Sequence, residues 1–221
     1  MQAISSVDAV QLHDALPVPE RDGNRALAML VGRRRAMWKA IDDLCLESDR
    51  VDEAAERMVA CLRGGGRILV AGNGGSAAEA QHFATELVGR FLRERAPYPV
   101  MSLTADSAVI TAIANDYGFE QVFARQVAAH GQPGDVFVAF STSGESKNLL
   151  CAAEAARSRD VTVIAVTGGA LNRMAAMADI AIRVPASATP VIQELHTIVL
   201  HVLCDLVETA MAAPHLRAQA Q

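Results

Sequence analysis

From about residue 67 onward, short apolar runs alternate with longer segments in which apolar residues recur at helical spacing. Five of the short runs are nearly continuous aliphatic stretches, which is typical of strands buried on both faces of a parallel sheet. They predict strands at 67–72, 99–103, 135–140, 161–166 and 179–184. The alternation favours an α/β class: a doubly wound, mostly parallel five-stranded sheet flanked by helices.

Helical periodicity fills the intervals between these strands. Helices are expected at 76–92, 106–115, 119–130, 146–158, 171–177 and about 190–212, after two N-terminal helices at 24–46 and 51–63. Right-handed crossovers place the loops that follow parallel strands along one edge of the sheet, where ligands of such folds bind. Those loops are predicted at 72–76, 104–107, 141–146 and 167–170.

The two ends of the chain differ from its middle. Residues 1–23 show weak periodicity and contain Pro17 and Pro19, which predicts a flexible N-terminal extension. Residues 24–212 are expected to form a single domain that includes the N-terminal helices, and residues 213–221 a C-terminal tail.

Composition excludes several classes of protein. The net charge is −5, and the only basic run, Arg33 to Arg35, is too short for a nucleic-acid surface. Uninterrupted apolar runs stay below the ~18 residues of a membrane helix, and the N-terminus does not resemble a secretory signal. The four cysteines lack Cys-x-x-Cys spacing and are expected to be reduced core residues. These features predict a cytoplasmic protein that binds neither nucleic acid nor a membrane.

The loop after the first predicted strand is a candidate anion site. Asn73, Gly74, Gly75 and Ser76 lie where a helix N-terminus presents free amide groups and a favourable dipole to a phosphate. An ordinary tight turn would have the same composition. Position 77 is Ala, so the dinucleotide fingerprint Gly-x-Gly-x-x-Gly is absent, and so is a Walker lysine.

A second candidate follows the strand at 135–140. Ser141, Thr142, Ser143 and Ser146 place four hydroxyl groups within six residues at another strand-to-helix turn. Helix capping needs only one hydroxyl, so the cluster favours phosphate binding. A sugar phosphate fits better than a nucleotide, because no adenine pocket or nucleotide-type metal motif is evident.

Two helices carry potential metal ligands. His82 and Glu86 are four residues apart and share a helix face, which is also common for exposed pairs. Gln193 and His201 are about 80° apart around the last predicted helix. If the two helices pack together, these four side chains offer a nitrogen and oxygen set that suits zinc. His196 lies on another side of Gln193 and is interpreted as a satisfied polar residue.

Asn115 and Asp116 precede Gly118 near the end of a predicted helix. They are either part of a helix terminus closed by glycine or lie at the mouth of the pocket and contact substrate hydroxyls. Composition alone does not decide between the two.

Four segments, in the same order, resemble the phosphoheptose isomerases of the sugar isomerase (SIS) family. They are GNGGSAAEAQHFATELVGRF, LTADSAVITAIANDYGFEQVFARQV, STSGESKN and TPVIQELHTIVLHVLCDLVE. The resemblance spans roughly residues 25–212. It implies an enzyme that converts sedoheptulose 7-phosphate to D-glycero-D-manno-heptose 7-phosphate, the first step of heptose biosynthesis for lipopolysaccharide or related glycans. It also implies a homotetramer with active sites at subunit interfaces and one zinc per subunit.

The resemblance also implies roles for individual residues. The metal ligands would be His82, Glu86, Gln193 and His201. The catalytic residues would be Glu86, His201 and Asp116, the last in ring opening. The substrate contacts would include Asn73, Gly74, Gly75, Asn115, Asp116, Ser141, Thr142, Ser143 and Ser146, to which we add Ser76, Glu86 and Gln193. Glu145 stands where many relatives carry Asn, and a carboxylate there is unfavourable beside a phosphate unless it points away.

Three alternatives follow from the same features. The first is a non-catalytic SIS-domain protein similar to a bacterial replication-initiation regulator, which lacks the carboxylate and the last-helix histidine. The presence of Glu86 and His201 favours an enzyme. The second is an isomerase of another keto-sugar phosphate. The third, a transcription regulator with a sugar-phosphate sensor, is disfavoured by the low basic content and the absence of a helix-turn-helix pattern.

Overall fold

A computed structural model describes the backbone of residues 25–218 and the side chains of residues 25–212. The predicted extension at 1–23 lies outside the described residues, as does the end of the predicted tail.

The described residues form one five-stranded parallel sheet. Its strands are β1 (Ile68–Gly72), β2 (Val100–Ser102), β3 (Val136–Ser141), β4 (Thr162–Gly168) and β5 (Ile180–Val184). Their order across the sheet is β2-β1-β3-β4-β5, and every neighbouring pair is parallel. The predicted fold class is therefore confirmed, and each strand lies within about two residues of its predicted bounds.

Helices connect and flank these strands. They are α1 (Arg25–Leu44), α2 (Ser48–Arg63), α3 (Gly75–Val88), α4 (Ser107–Tyr117), α5 (Ala124–His130), α6 (Lys147–Arg157), α7 (Arg173–Met177) and α8 (Thr189–Ala218). Short 3-10 turns at Cys45–Glu47 and Phe119–Gln121 precede α2 and α5.

Three helix predictions need correction. Helix α3 ends at Val88, not at residue 92, because the chain leaves the helix at Gly89 and the next residues bond elsewhere. The predicted helix at 119–130 is a 3-10 turn followed by the short α5. Helix α8 continues to Ala218, through most of the predicted tail.

Apolar side chains fill both faces of the sheet. On one face, Leu69, Phe137 and Val163 pack with Leu149 and Val127 from α6 and α5. On the other face, α2, α3 and α8 contact one another and the strands. Residues of β1, β3 and β4 are almost all fully buried, as expected for a sheet covered on both sides.

The cysteine prediction holds for two of the four residues. Cys61 and Cys204 are buried free thiols, whereas Cys45 is exposed and Cys151 is only partly buried. Burial raises the pKa of Cys61 to about 11, with a further contribution from the nearby Asp135 carboxylate. Burial also raises the pKa of Cys204, so both buried thiols are protonated at neutral pH.

Contacts within the chain separate it into two units, residues 1–39 and residues 40–221, with the division inside α1. The described part of the first unit is helical and exposes Met29 and Leu30. The second unit contains the whole sheet. The predicted domain bounds at 24 and 212 stay a prediction.

Helix α8 is long and apolar enough over Thr189–Ala212 to pass as a membrane span by length and composition. The sequence contains no uninterrupted apolar run of that length. The helix nevertheless reaches the mean hydropathy of a membrane span, because its few polar residues are outweighed by apolar ones. It buries Leu195, Val199 and Leu203 in the core, and it also buries the charged Glu208. A core helix passes the same test, so the finding is weak evidence for a membrane span.

Candidate functional site

The strand order creates a crevice between the loops that follow β1 and β3. These strands are neighbours in the sheet although β2 lies between them in sequence, so their crossovers run to opposite sides. Gly72 at the end of β1 lies opposite Phe140, one residue before β3 ends. Ligands of doubly wound sheets bind at such a switch point. Both predicted phosphate loops therefore lie at one crevice.

A pair of asparagines joins the two loops. Asn73 Nδ2 donates to Asn148 Oδ1 at 2.9 Å, and Asn148 Nδ2 donates to Asn73 Oδ1 at 2.8 Å. Asn148 is buried in the first turn of α6. The only signal for Asn148 in the sequence is its place inside the segment STSGESKN, which does not predict this contact.

The hydroxyl groups of the second loop are not used to cap α6. Ser146 is the N-cap residue, yet its side chain makes no capping hydrogen bond. Ser141 Oγ accepts the Gly144 N–H at 3.0 Å, and Ser143 Oγ accepts the Glu145 N–H at 3.2 Å. These bonds curl the loop into a turn at the helix N-terminus, a suitable geometry for an anion.

Glu145 points away from this loop. Its carboxylate accepts the Arg173 backbone N–H at 2.8 Å and the Arg173 Nε–H at 2.6 Å. These bonds with Arg173 lower the pKa of Glu145 below its usual value. Gly144 is required beside it, because its φ is +65° and a Cβ there would overlap the Asn172 side chain. The negative charge of Glu145 is thus compensated at α7.

Gln193 reaches from α8 to the beginning of α3. A Cβ at Gly75 would overlap the Gln193 side-chain amide, so the close approach of the two helices requires glycine at this position. Ser76, the next residue, is buried. The predicted loop residues and the predicted fourth metal ligand are therefore neighbours.

Three of the four predicted metal ligands lie together. His82 Nε2 is 3.0 Å from Glu86 Oε1 and 3.3 Å from His201 Nε2. The ligand atoms of all three lie within 4.8 Å of one another, and each side chain is half-buried. Two imidazoles and one carboxylate fit zinc, which keeps three protein ligands and an open position at catalytic sites. These three residues form a possible metal-binding group.

Gln193, the fourth predicted ligand, lies on the same helix as His201. It lies eight residues before His201 on α8, which corresponds to about 12 Å along the helix axis. Its amide lies against Gly75, whereas His82 is two turns further along α3. The structure therefore brings His82, Glu86 and His201 together, and the role of Gln193 as a ligand stays a prediction.

The third residue of this group, His201, has an aromatic neighbour. The ring of Phe91 is stacked on that of His201, with centroids 5.3 Å apart and planes 16° apart. Position 91 falls within the helix predicted at 76–92, so the sequence does not indicate that Phe91 contacts His201.

The interpretation of His196 as a satisfied polar residue is wrong. His196 is fully buried between α8 and the sheet, and neither of its ring nitrogens has a hydrogen-bond partner among the described residues. Its Nδ1 lies 3.4 Å from Oε2 of the buried Glu79 on α3. The pair is buried because α3 and α8 pack against each other, a contact that the spacing on either helix alone does not reveal.

Asn115 and Asp116 lie exposed at the end of α4. Asn115 Nδ2 donates to Asp116 Oδ1 at 2.7 Å. Gly118 closes the helix with a φ of +89° and donates its N–H to Ala114. The predicted helix terminus is confirmed, and a contact of these two residues with substrate stays a prediction.

The family model for the SIS domain matches residues 35–168 of the chain. Among curated sequences, a phosphoheptose isomerase of Rhodospirillum rubrum is 55% identical over 163 residues, which cover 74% of this chain and 87% of the relative.

Two solved structures are similar over most of the chain. A phosphoheptose isomerase from Francisella tularensis has a TM-score of 0.80 and 40% identity, and covers 83% of this chain and 98% of its own. A phosphoheptose isomerase from Neisseria gonorrhoeae has a TM-score of 0.76 and 42% identity, and covers 84% and 97%. The predicted resemblance is confirmed.

Proposed function

Because the chain belongs to the SIS-domain family, and within it to the phosphoheptose isomerases, we propose that it converts sedoheptulose 7-phosphate to D-glycero-D-manno-heptose 7-phosphate. The observation that carries the proposal is the cluster of His82, Glu86 and His201 on two helices, one of which begins at the phosphate crevice. The product would enter heptose biosynthesis, for lipopolysaccharide or a related glycan, in the cytoplasm.

The phosphate group is proposed to bind in the Ser-rich loop. Ser141, Thr142, Ser143 and Ser146 offer hydroxyl groups at the N-terminus of α6, and Ser146 has no competing capping bond. Asn73, Gly74, Gly75 and Ser76 form the opposite wall. The Asn73–Asn148 bonds support this assignment, because they hold the two walls together.

The reaction moves a carbonyl from C2 to C1. A proton leaves C1, the carbon next to the carbonyl, and the resulting enediol takes up a proton at C2. We assign Glu86 as the base and His201 as the partner acid. Both side chains are half-buried, and their ligand atoms lie within 4.8 Å of each other. One bound sugar can therefore contact both.

His82, Glu86 and His201 are proposed to hold one zinc ion in each subunit, with Gln193 as the fourth ligand or as a substrate contact. When bound, zinc would polarise the sugar carbonyl and stabilise negative charge on the enediolate oxygens. His82 Nε2 and Glu86 Oε1 lie 3.0 Å apart, close enough for both atoms to bind the same ion.

Asn115 and Asp116 are proposed to contact sugar hydroxyls, and Asp116 to assist ring opening. The family resemblance implies a homotetramer, and we propose that its active sites lie between subunits. The exposure of both side chains is compatible with a site completed by a neighbouring subunit.

A coupled assay on the purified chain tests this function. We expect aldose formation from sedoheptulose 7-phosphate, loss of turnover with a chelator and recovery when zinc is restored. Fructose 6-phosphate serves as the control keto-sugar phosphate, and faster turnover of it would favour an isomerase of another substrate. Binding of sedoheptulose 7-phosphate without turnover under any condition would contradict the enzyme and favour the non-catalytic alternative.

A further inference from the structure

We infer that the buried pair formed by Glu208 and Arg95 is a positioning device for the catalytic pair, acting through Phe91 on His201 and through the last turn of α3 on Glu86. The inference rests on the proposed isomerase function. It assigns a role to three residues that lie outside both phosphate loops and the ligand set.

Glu208 anchors the segment that follows α3. Its side chain is on α8 and the residue is 1% exposed. The carboxylate accepts the backbone N–H groups of Phe91, Leu92 and Arg93 at 2.8, 2.9 and 3.0 Å, and the Arg95 Nε–H at 2.9 Å. A buried carboxylate needs such partners, and three consecutive N–H groups on one side chain hold this backbone firmly in place.

Arg95 holds the end of α3. Its guanidinium donates to the backbone carbonyls of Glu86 and Leu87, both at 2.9 Å, and of Gly89 at 3.2 Å. It also lies over the Tyr98 ring, 4.0 Å from the centroid. The last carbonyl groups of a helix lack intrahelical partners. A cation at this end therefore caps the helix and interacts favourably with the helix dipole. The capped turn is the one that carries Glu86.

Phe91 connects Glu208 to His201, the second proposed catalytic residue. Its N–H is bound by Glu208, and its ring is stacked on His201. His201 and Glu208 are seven residues apart on α8, which is close to two helical turns, so both side chains face the same segment. Phe91 is only half-buried, and its ring lies against the imidazole of His201.

These contacts connect α3 and α8 through a single residue, Glu208. Glu86 on α3 and His201 on α8 are held by groups that meet at Glu208. Catalysis depends steeply on such placement, since a displacement of about 1 Å can reduce a rate about 100-fold. Removal of the Phe91 ring should leave the substrate loops in place and disturb the proton-transfer geometry.

The test compares Phe91→Leu with Leu92→Ala, a matched control in the same segment at a residue that is 61% exposed. For Phe91→Leu we expect kcat to fall about tenfold or more with KM within about twofold. Phe91→Tyr, which keeps the ring, should restore most of the rate, and Leu92→Ala should match the unaltered protein. An unchanged kcat in Phe91→Leu, or an equal loss in Leu92→Ala, would overturn the inference.

A second measurement separates this inference from the proposed function. In the metal-free protein, the imidazole protons of His201 should show a ring-current shift from Phe91 in NMR spectra, with the signal assigned by its loss in His201→Asn. We expect the shift to disappear in Phe91→Leu and to persist in Leu92→Ala. Absence of turnover in the unaltered protein would refute the isomerase proposal alone, whereas absence of the shift would refute the positioning role.

Discussion

At the scale of single residues, the chemistry of a side chain depends on partners that local sequence does not reveal. Glu145 looked unfavourable beside a phosphate loop, yet it binds the backbone and side chain of Arg173. His196 looked like an ordinary satisfied histidine, yet it is buried beside Glu79 without a hydrogen bond. In both cases the deciding partner lies on another element.

Substitution of Glu145 by Asn should have little effect on catalysis, because its charge is already compensated by Arg173. We expect Glu145→Asn to leave KM for the sugar phosphate within about twofold, as is typical for exposed ion pairs of small net effect. Arg173→Ala is the matched variant. It removes the guanidinium and keeps the backbone N–H of residue 173, so the charge of Glu145 near the proposed phosphate site is no longer compensated and KM should rise several-fold. Steady-state kinetics would contradict this account if the two variants behaved alike.

Removal of the proposed base or acid should abolish turnover. We expect Glu86→Gln and His201→Ala to lose about 1000-fold or more in kcat, since each removes a proton-transfer group and a possible metal ligand. Their exposed neighbours on the same helices provide controls, and Thr85→Ala and Val202→Ala should keep near-normal rates. Circular dichroism should show that all four variants remain folded. Near-normal turnover in Glu86→Gln or His201→Ala would contradict the assigned roles.

At the scale of elements, packing decides where helices end. The sequence pattern extends α3 to residue 92, but the helix stops at Val88, because Glu208 from α8 takes the N–H groups of Phe91 to Arg93. Phe91, which donates one of these N–H groups, and Glu208, which accepts it, are 117 positions apart in the chain. Local propensity cannot anticipate a competitor that folding brings from such a distance.

The stabilising effect of the contacts between Glu208 and residues 91–95 should depend on pH. Burial acts to raise the pKa of Glu208, but the N–H groups of Phe91, Leu92 and Arg93 and the charge of Arg95 outweigh it, and the net pKa is lowered. A carboxylate whose pKa is lowered by folding stabilises the native state above its unfolded pKa, about 4.3 for Glu. That stabilisation is lost as the pH falls through the lower, native pKa.

We therefore expect Glu208→Gln to lower the free energy of unfolding at pH 7 by about 3 kcal/mol. The difference from the unaltered protein should narrow as the pH falls below about 4. Urea titrations at several pH values measure it. Glu94→Gln, in the same segment but with a side chain 90% exposed, should change stability by less than about 0.5 kcal/mol. If the difference in free energy of unfolding between Glu208→Gln and the unaltered protein did not depend on pH, the role of ionised Glu208 would be refuted.

At the scale of the whole molecule, the parallel topology brings distant segments to one edge. The strand order places the loops after β1 and β3 side by side, and α8 passes along the same side as α3. The proposed metal ligands come from a single chain. Helix α1 exposes Met29 and Leu30, apolar side chains of the kind that subunit contacts cover.

From the family resemblance we expect a homotetramer, and light scattering should give four times the chain mass of 23.4 kDa. Because the three clustered ligands belong to one chain, a chelator should remove turnover and leave this mass unchanged. Zinc should then restore activity at constant mass. A monomeric mass would contradict the predicted assembly, and dissociation on chelation would indicate that the metal bridges subunits.

The sequence alone determined the class of fold and the types of residue at the site. Hydrophobic periodicity is a local property, so it identified all five strands and, within a few residues at most ends, the helices between them. Only the tertiary structure decided which candidates meet. His82 and His201 are 119 positions apart and lie in contact, and Gln193 of α8 lies against Gly75 of α3. Asn148 and Phe91 gained their roles in the same way. Such contacts depend on how helices pack and which way side chains turn, and no local pattern encodes either.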